Sequence, residues 1–132
     1  MSEEQSVYQA IGGEAGVRQL VTRFYELMDT LPEAKAARAI HPADLSDSAQ
    51  KLFEYFSGWF GGPALFVERR GPPMLRARHL HARIAGPEIE GWLLCFMQAW
   101  REVVGVRPEI DALVLPQIHN LAGHMRNCED GA

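Results

Sequence analysis

Apolar residues recur at helical spacing along most of this chain, and pairs of glycine and proline cut the pattern into separate pieces. A brief helical turn is expected near Val7 to Ile11, broken by Gly12-Gly13. From Glu14, the positions Val17, Leu20, Val21, Phe24, Leu27 and Met28 fall on one stripe, which predicts an amphipathic helix with Tyr25 at its margin. Pro32 can start a short Ala-rich helix, and His41-Pro42 should end it, because a residue before proline avoids the helical region. Asp44 or Ser46 is placed to cap the next helix. Its apolar set is Ala49, Leu52, Phe53, Phe56, Trp59 and Phe60, and Gly61-Gly62-Pro63 stops it.

The stretch from there to Met74 contains Gly71, Pro72 and Pro73 and is expected to be mostly irregular. Long loops in small domains usually serve a function. This one leads into a short helical segment, Met74 to His79. Gly86-Pro87 then opens the strongest amphipathic pattern of the chain: Ile89, Trp92, Leu93, Phe96, Met97, Trp100, Val103 and Val104, ended by Gly105. A last helix is predicted from Pro108 to Arg126 through Ile110, Leu113, Val114, Ile118, Leu121 and Met125, with Pro116 expected to kink or interrupt it. No strand signal competes. The chain reads as all-α.

A length of 132 residues with 47% hydrophobic positions fits one domain, 1–132, with an ordered core of about 7–127. The net charge of -4 argues against nucleic acid or an anionic membrane as partner. Positive charge is nevertheless uneven, because Arg69, Arg70, Arg76, Arg78 and Arg83 crowd into one stretch. A small anion or a carboxylated cofactor suits so local a cluster; a solvated basic loop is the plainer alternative. Cys95 and Cys128 are far apart and one lies on an apolar helix face, which suits a reducing compartment. The N-terminus is acidic without an apolar core, and no apolar run reaches membrane length, so a soluble cytoplasmic protein is expected.

The histidines are the main chemical signal. His79 and His81 are two apart and point to different sides of a helix, and His119 and His124 have no carboxylate between them, so a zinc site is weakly supported. A haem asks for a single neutral imidazole on its proximal side. His79 has the surroundings for that: Arg76 and Arg78 near enough for propionates, and Lys51 within reach from a facing helix. The Leu75 carbonyl, one turn back, can accept the other ring N–H of His79. On the opposite side Tyr25 offers a hydroxyl, Trp92 an indole N–H, and His41 an N–H in one tautomer. Such donors would retain dioxygen, which carries partial negative charge on iron. Taken singly, each of the three also fits ordinary core or core-margin packing. With no C-x-x-C-H, covalent c-type haem attachment is excluded.

Nearly the whole chain, from about Val7 to Asn127, resembles the truncated (two-over-two) haemoglobins, and within them group II. The resemblance is carried by YQAIGG at Tyr8 to Gly13, RFYELM at Arg23 to Met28 and HPADLS at His41 to Ser46, then by KLFEYFSGWFGGP at Lys51 to Pro63, LRARH at Leu75 to His79 and GWLLCFMQAW at Gly91 to Trp100. It implies a globin-like two-over-two helical sandwich around haem b, with His79 as the proximal ligand. Tyr25, His41 and Trp92 match the polar distal residues, and Ser48 and Leu52 the distal helix above the iron. Tyr55, Phe56, Phe66, Leu75 and Ile84 would line the cofactor, and Lys51 and Arg78 would meet its propionates. The chain departs from many relatives at Gly71-Pro72-Pro73, where a loop histidine is missing, and at Phe66, which replaces a tyrosine seen in some.

The function so implied is reversible binding of dioxygen, carbon monoxide or nitric oxide at five-coordinate iron, as a carrier or sensor, in a monomer or homodimer. The rival is a redox enzyme, a nitric oxide dioxygenase or a peroxidase acting on peroxide with an unnamed reductase. Donors that hold dioxygen also stabilise peroxide, and His41 can shuttle protons near neutral pH. A haem-free helical protein that docks partners is the third reading.

Overall fold

The computed structural model describes residues 5–129, and within them every regular element is helical. Ser6 opens α1 (Val7–Ala10) with a capping box: its hydroxyl accepts the Gln9 N–H, and the Gln9 side chain accepts the Ser6 N–H. Gly12 and Gly13 follow at φ 109° and 65°, a turn that L side chains avoid, and α2 (Gly13–Thr30) begins there. A 3-10 turn at Pro32–Ala34 leads into α3 (Lys35–Ala39). Then come α4 (Ser46–Trp59), α5 (Leu65–Arg70), α6 (Leu75–Arg78), α7 (Gly86–Val103) and α8 (Pro108–His124).

The predicted apolar stripes form one core. Helix α2 packs against both α4 and α7, and α7 carries α8 on its other side, so two helix pairs meet around shared side chains. Val17, Leu20, Phe24, Phe56, Phe96 and Trp100 are sealed from solvent within it. The Trp100 indole N–H, which burial would otherwise strand, donates to the Asp111 carboxylate at 2.8 Å. Helix α7 also lies very close to the 3-10 turn: a Cβ on Gly91 would stand only 3.1 Å from the Ala34 Cα.

Four local expectations need correction. Residues between Pro63 and Gly71 are not irregular but form α5; Phe66 is buried, and Arg69 and Arg70 both reach the Glu54 carboxylate of α4, at 3.1 and 2.6 Å. Tertiary bonds of this kind stabilise a helix too short to persist alone. Pro116 does not interrupt α8, which runs through it from Pro108 to His124. Leu113 lies outside the core at 65% exposure, whereas Ile110, Val114 and Ile118 turn inward. At the start of α4 neither expected residue is the cap: Leu45 is, Ser46 is already helical, and Asp44 stands one residue earlier, accepting the Ser46 N–H at 2.9 Å.

Glu54 is the most deeply buried charge among the described residues, 2% exposed. Hydrogen bonds from Arg70 hold its carboxyl down at about 2 against the upward push of burial, with Gln50 and Arg69 assisting. A carboxyl depressed in the folded state adds stability that is complete above its ordinary value near 4.5 and is lost as pH falls toward 2. Glu54→Gln should therefore cost about 2 kcal/mol near neutral pH. Urea denaturation of both proteins across the acid range should show that gap closing below about pH 4; a gap independent of pH would show that charge is not its source.

Candidate functional site

Helix α6 is a single turn, entered from Pro72-Pro73 through Met74 in the left-handed region (φ 40°, ψ 52°), and it ends with His79 as its C-cap. That placement brings the His79 ring back over the turn, where Nδ1 lies 2.6 Å from the Leu75 carbonyl oxygen. A carbonyl only accepts, so Nδ1 carries the proton and Nε2 keeps a lone pair. The half-buried imidazole is thus prepared as a ligand at one defined nitrogen.

His41 is built the same way. Its Nδ1 donates to the Ala37 carbonyl at 2.8 Å, so the neutral ring presents Nε2 as an acceptor. The N–H that sequence reasoning offered to a ligand is the one spent on Ala37; His41 donates at Nε2 only as an imidazolium. Burial lowers its pKa most; the Ala37 bond opposes this, and the charges of His79 and Arg38 add to the lowering.

Aromatic contacts string the remaining predicted residues together. The His41 ring meets Tyr25 edge-on at 5.8 Å, Tyr25 and Trp92 both meet Phe24, at 4.8 and 5.0 Å, and Trp92 stacks on Phe96 at 6.0 Å. Phe96 touches Phe56, Phe56 touches Tyr55, and Tyr55 meets Phe66 at 6.2 Å. The Arg78 guanidinium closes the series 5.1 Å above the Phe66 ring. Ile84 is buried, while Leu52, Leu75 and Ser48 are half-buried. Burial pushes the Tyr25 phenol well above its usual range, so it stays an O–H donor.

The clustered arginines all bond acceptors of the chain itself. Arg69 and Arg70 hold Glu54, Arg76 bonds the Arg126 carbonyl, and Arg83 bonds that of Glu129. Arg78 donates to the carbonyls of Arg70 and Pro72, both at 3.0 Å, and Lys51 pairs with Asp47 at 2.9 Å. No group of three or more potential metal-binding side chains occurs among the described residues. Both cysteines are free. A groove of about 270 Å³ lined by Val7, Trp59, Phe60, Leu113, Val114 and Gln117 contains none of the chemically suggestive residues. Sequence reasoning missed the roles of Glu54 and Asn127, polar residues whose arginine and loop partners are distant in the chain.

Comparison with known proteins decides the family. A model of bacterial-like globins matches residues 6–127. The chain belongs to the bacterial-like globin family. A relative, the group 2 truncated hemoglobin YjbI of Bacillus subtilis, is 38% identical over 91% of this chain and 87% of its own. The group II 2-on-2 hemoglobin of Agrobacterium tumefaciens superposes with a TM-score of 0.92 at 49% identity, covering 98% of each chain. A cold-adapted truncated hemoglobin from Pseudoalteromonas haloplanktis gives 0.89 at 36% identity, over 94% of this chain and 99% of its own. The resemblance to group II truncated haemoglobins and the all-α globin fold are both borne out.

Globins of this family bind haem and, through it, diatomic gases. The residues of this globin fit that group. Tyr25 is 8% exposed, yet its hydroxyl has no protein partner; since no sealed side-chain polar atom among the described residues lacks one, that hydroxyl faces space open to a small molecule. Nitrogen-15 imidazole spectra of the ferrous carbon monoxide form should show Nδ1–H tautomers at both His41 and His79. His41 should titrate below the ordinary value of 6.5, so the stability it gains by staying neutral is complete above that pH and falls as acid is added. An Nε2–H tautomer at His41, or a pKa above 6.5, would contradict this construction.

Proposed function

We propose that this globin binds haem b non-covalently, with Nε2 of His79 as the proximal ligand, and takes up diatomic gases reversibly, dioxygen chiefly, within one domain. The observation that carries the reading is the proton on His79 Nδ1, committed to Leu75 and leaving one free lone pair on a half-buried ring. When bound, the haem supplies the iron at which a gas is held. Tyr55, Phe56, Phe66 and Ile84 supply apolar wall, Leu52 and Leu75 its margins, and Arg78 and Lys51 cations for the propionates.

On the distal side the free Tyr25 hydroxyl and the Trp92 indole N–H are the donors. Hydrogen bonds to a charged acceptor contribute roughly 1.5–3 kcal/mol, about ten- to a hundredfold in retention for each good donor. His41 plays a different part. Its Nε2 accepts, so it holds a water by one O–H and leaves the other O–H for the gas, while the single Tyr25 proton stays free for the gas. The same lone pair favours a second reading, peroxide or nitric oxide turnover, because a neutral imidazole with a free nitrogen is a proton acceptor.

His79→Ala should lose most of its haem, seen as a collapsed Soret band after purification with ample porphyrin; full retention would remove the assignment. Tyr25→Phe and Trp92→Phe should each release dioxygen about ten- to a hundredfold faster in stopped-flow displacement by carbon monoxide. Unchanged rates in both would show that these groups do not hold the gas. If His41→Phe slows peroxide or nitric oxide consumption far more than it alters dioxygen release, the enzymatic reading prevails.

A further inference from the structure

The segment that follows His79 has little structure of its own. Within residues 79–84 the backbone makes the Ala82 N–H to His79 carbonyl bond at 3.0 Å, and Leu80 N–H reaches back to Ala77 at 3.4 Å. What holds the segment comes instead from the far end of the chain. The Asn127 backbone N–H donates to the Ile84 carbonyl at 3.0 Å, and its side-chain Oδ1 accepts the Ile84 N–H at 2.9 Å. Its Nδ2 donates to the Ala82 carbonyl at 2.8 Å and, more weakly, to that of His79 at 3.4 Å. On either side, Arg76 bonds the Arg126 carbonyl and Arg83 the Glu129 carbonyl.

We propose that Asn127 is a positioning residue for the proximal histidine, clasping the loop that begins at His79 so that the imidazole keeps one orientation toward the haem. This rests on the reading of His79 as the iron ligand. The His79 ring is held at the Leu75 carbonyl and its N–H at the Leu75 and Arg76 carbonyls, all within one helical turn, whereas its carbonyl is held from the loop side by Ala82 and by Asn127. Without the Asn127 clasp on Ala82 and Ile84, the loop leaving His79 could shift and tilt the residue at the end of that single turn. The amide suits the task because one acceptor and two donors sit on a short stem. Aspartate has the same shape without donors, and would set oxygen against the carbonyls of Ala82 and His79. Glutamine is longer by a methylene. Nothing in the local sequence announces this role, since the bonded partners lie more than forty residues away.

The test uses the haem-loaded ferrous protein without gas. Resonance Raman spectra give the iron–histidine stretch, and haem transfer to excess apomyoglobin gives retention. Asn127→Asp and Asn127→Ala should shift and broaden that band and speed haem loss about tenfold, the change expected from losing one or two net hydrogen bonds. Val17→Ala, a core truncation on α2, serves as the control for lost stability and should leave the band where it is. Unchanged bands and transfer rates in both Asn127 variants would overturn the proposal, as would the same band shift in Val17→Ala. If Asn127→Asp fails to fold, Asn127→Ala decides alone. An iron–histidine band absent from the unmodified protein, or retained in His79→Ala, overturns the ligand assignment itself and so separates that failure from this one.

Discussion

An acceptor for the proton on one imidazole nitrogen fixes the tautomer and orientation of the ring, and so which nitrogen offers its lone pair. In this globin that acceptor is the Leu75 carbonyl, one helical turn behind His79 and 2.6 Å from its Nδ1. The bond is local, but its geometry depends on α6 starting and stopping where it does. Pro72-Pro73 and the left-handed Met74 launch the turn, and His79 ends it. The same device recurs at His41 with Ala37, so both neutral imidazoles offer Nε2. Two like constructions thereby present one defined acceptor nitrogen each.

The economy of the arginines shows how a fold reassigns charge. A guanidinium carries five donors and is costly to leave unpaired near low-dielectric surroundings, so it binds whatever acceptors the fold brings within reach. Arg69 and Arg70 meet the buried Glu54, which locks α5 onto α4 and seats Phe66 beside Tyr55. Arg76 and Arg83 meet carbonyls at the end of the chain. Only after these structural duties does the cluster face outward. A dense run of arginine in a sequence is therefore as much a sign of loops and short helices that need external hydrogen bonds as it is of an anionic ligand.

Packing joins the site to the core through continuous aromatic contact. Phe24 bears on both Tyr25 and Trp92, and Phe96 connects Trp92 to Phe56 and Trp100. Side chains in such a series have few alternative rotamers, since each ring is bounded by the next. The Tyr25 and Trp92 side chains at its margin are thus held by the rings of the core. Gly91 belongs to the same scheme, because its missing side chain lets α7 approach the turn at Ala34.

The sequence by itself determined the helices, their apolar faces and the residues able to carry chemistry. These follow from local periodicity and from breakers such as Gly12-Gly13 and Gly61-Gly62-Pro63, whose effects act within a few residues. The motif order also placed the chain in its family, and the Leu75 acceptor was legible because it lies one turn from His79. Tertiary structure alone decided matters that depend on partners far along the chain. Helix α5 exists because Arg69 and Arg70 find Glu54; Leu113 stays exposed because no element covers that side of α8; the nitrogen His41 offers depends on how Ala37 presents its carbonyl; and Asn127 gains its role only when the chain end folds back onto the loop after His79. Hydrophobic spacing is written residue by residue, whereas the pairing of buried polar groups is settled only when distant segments meet.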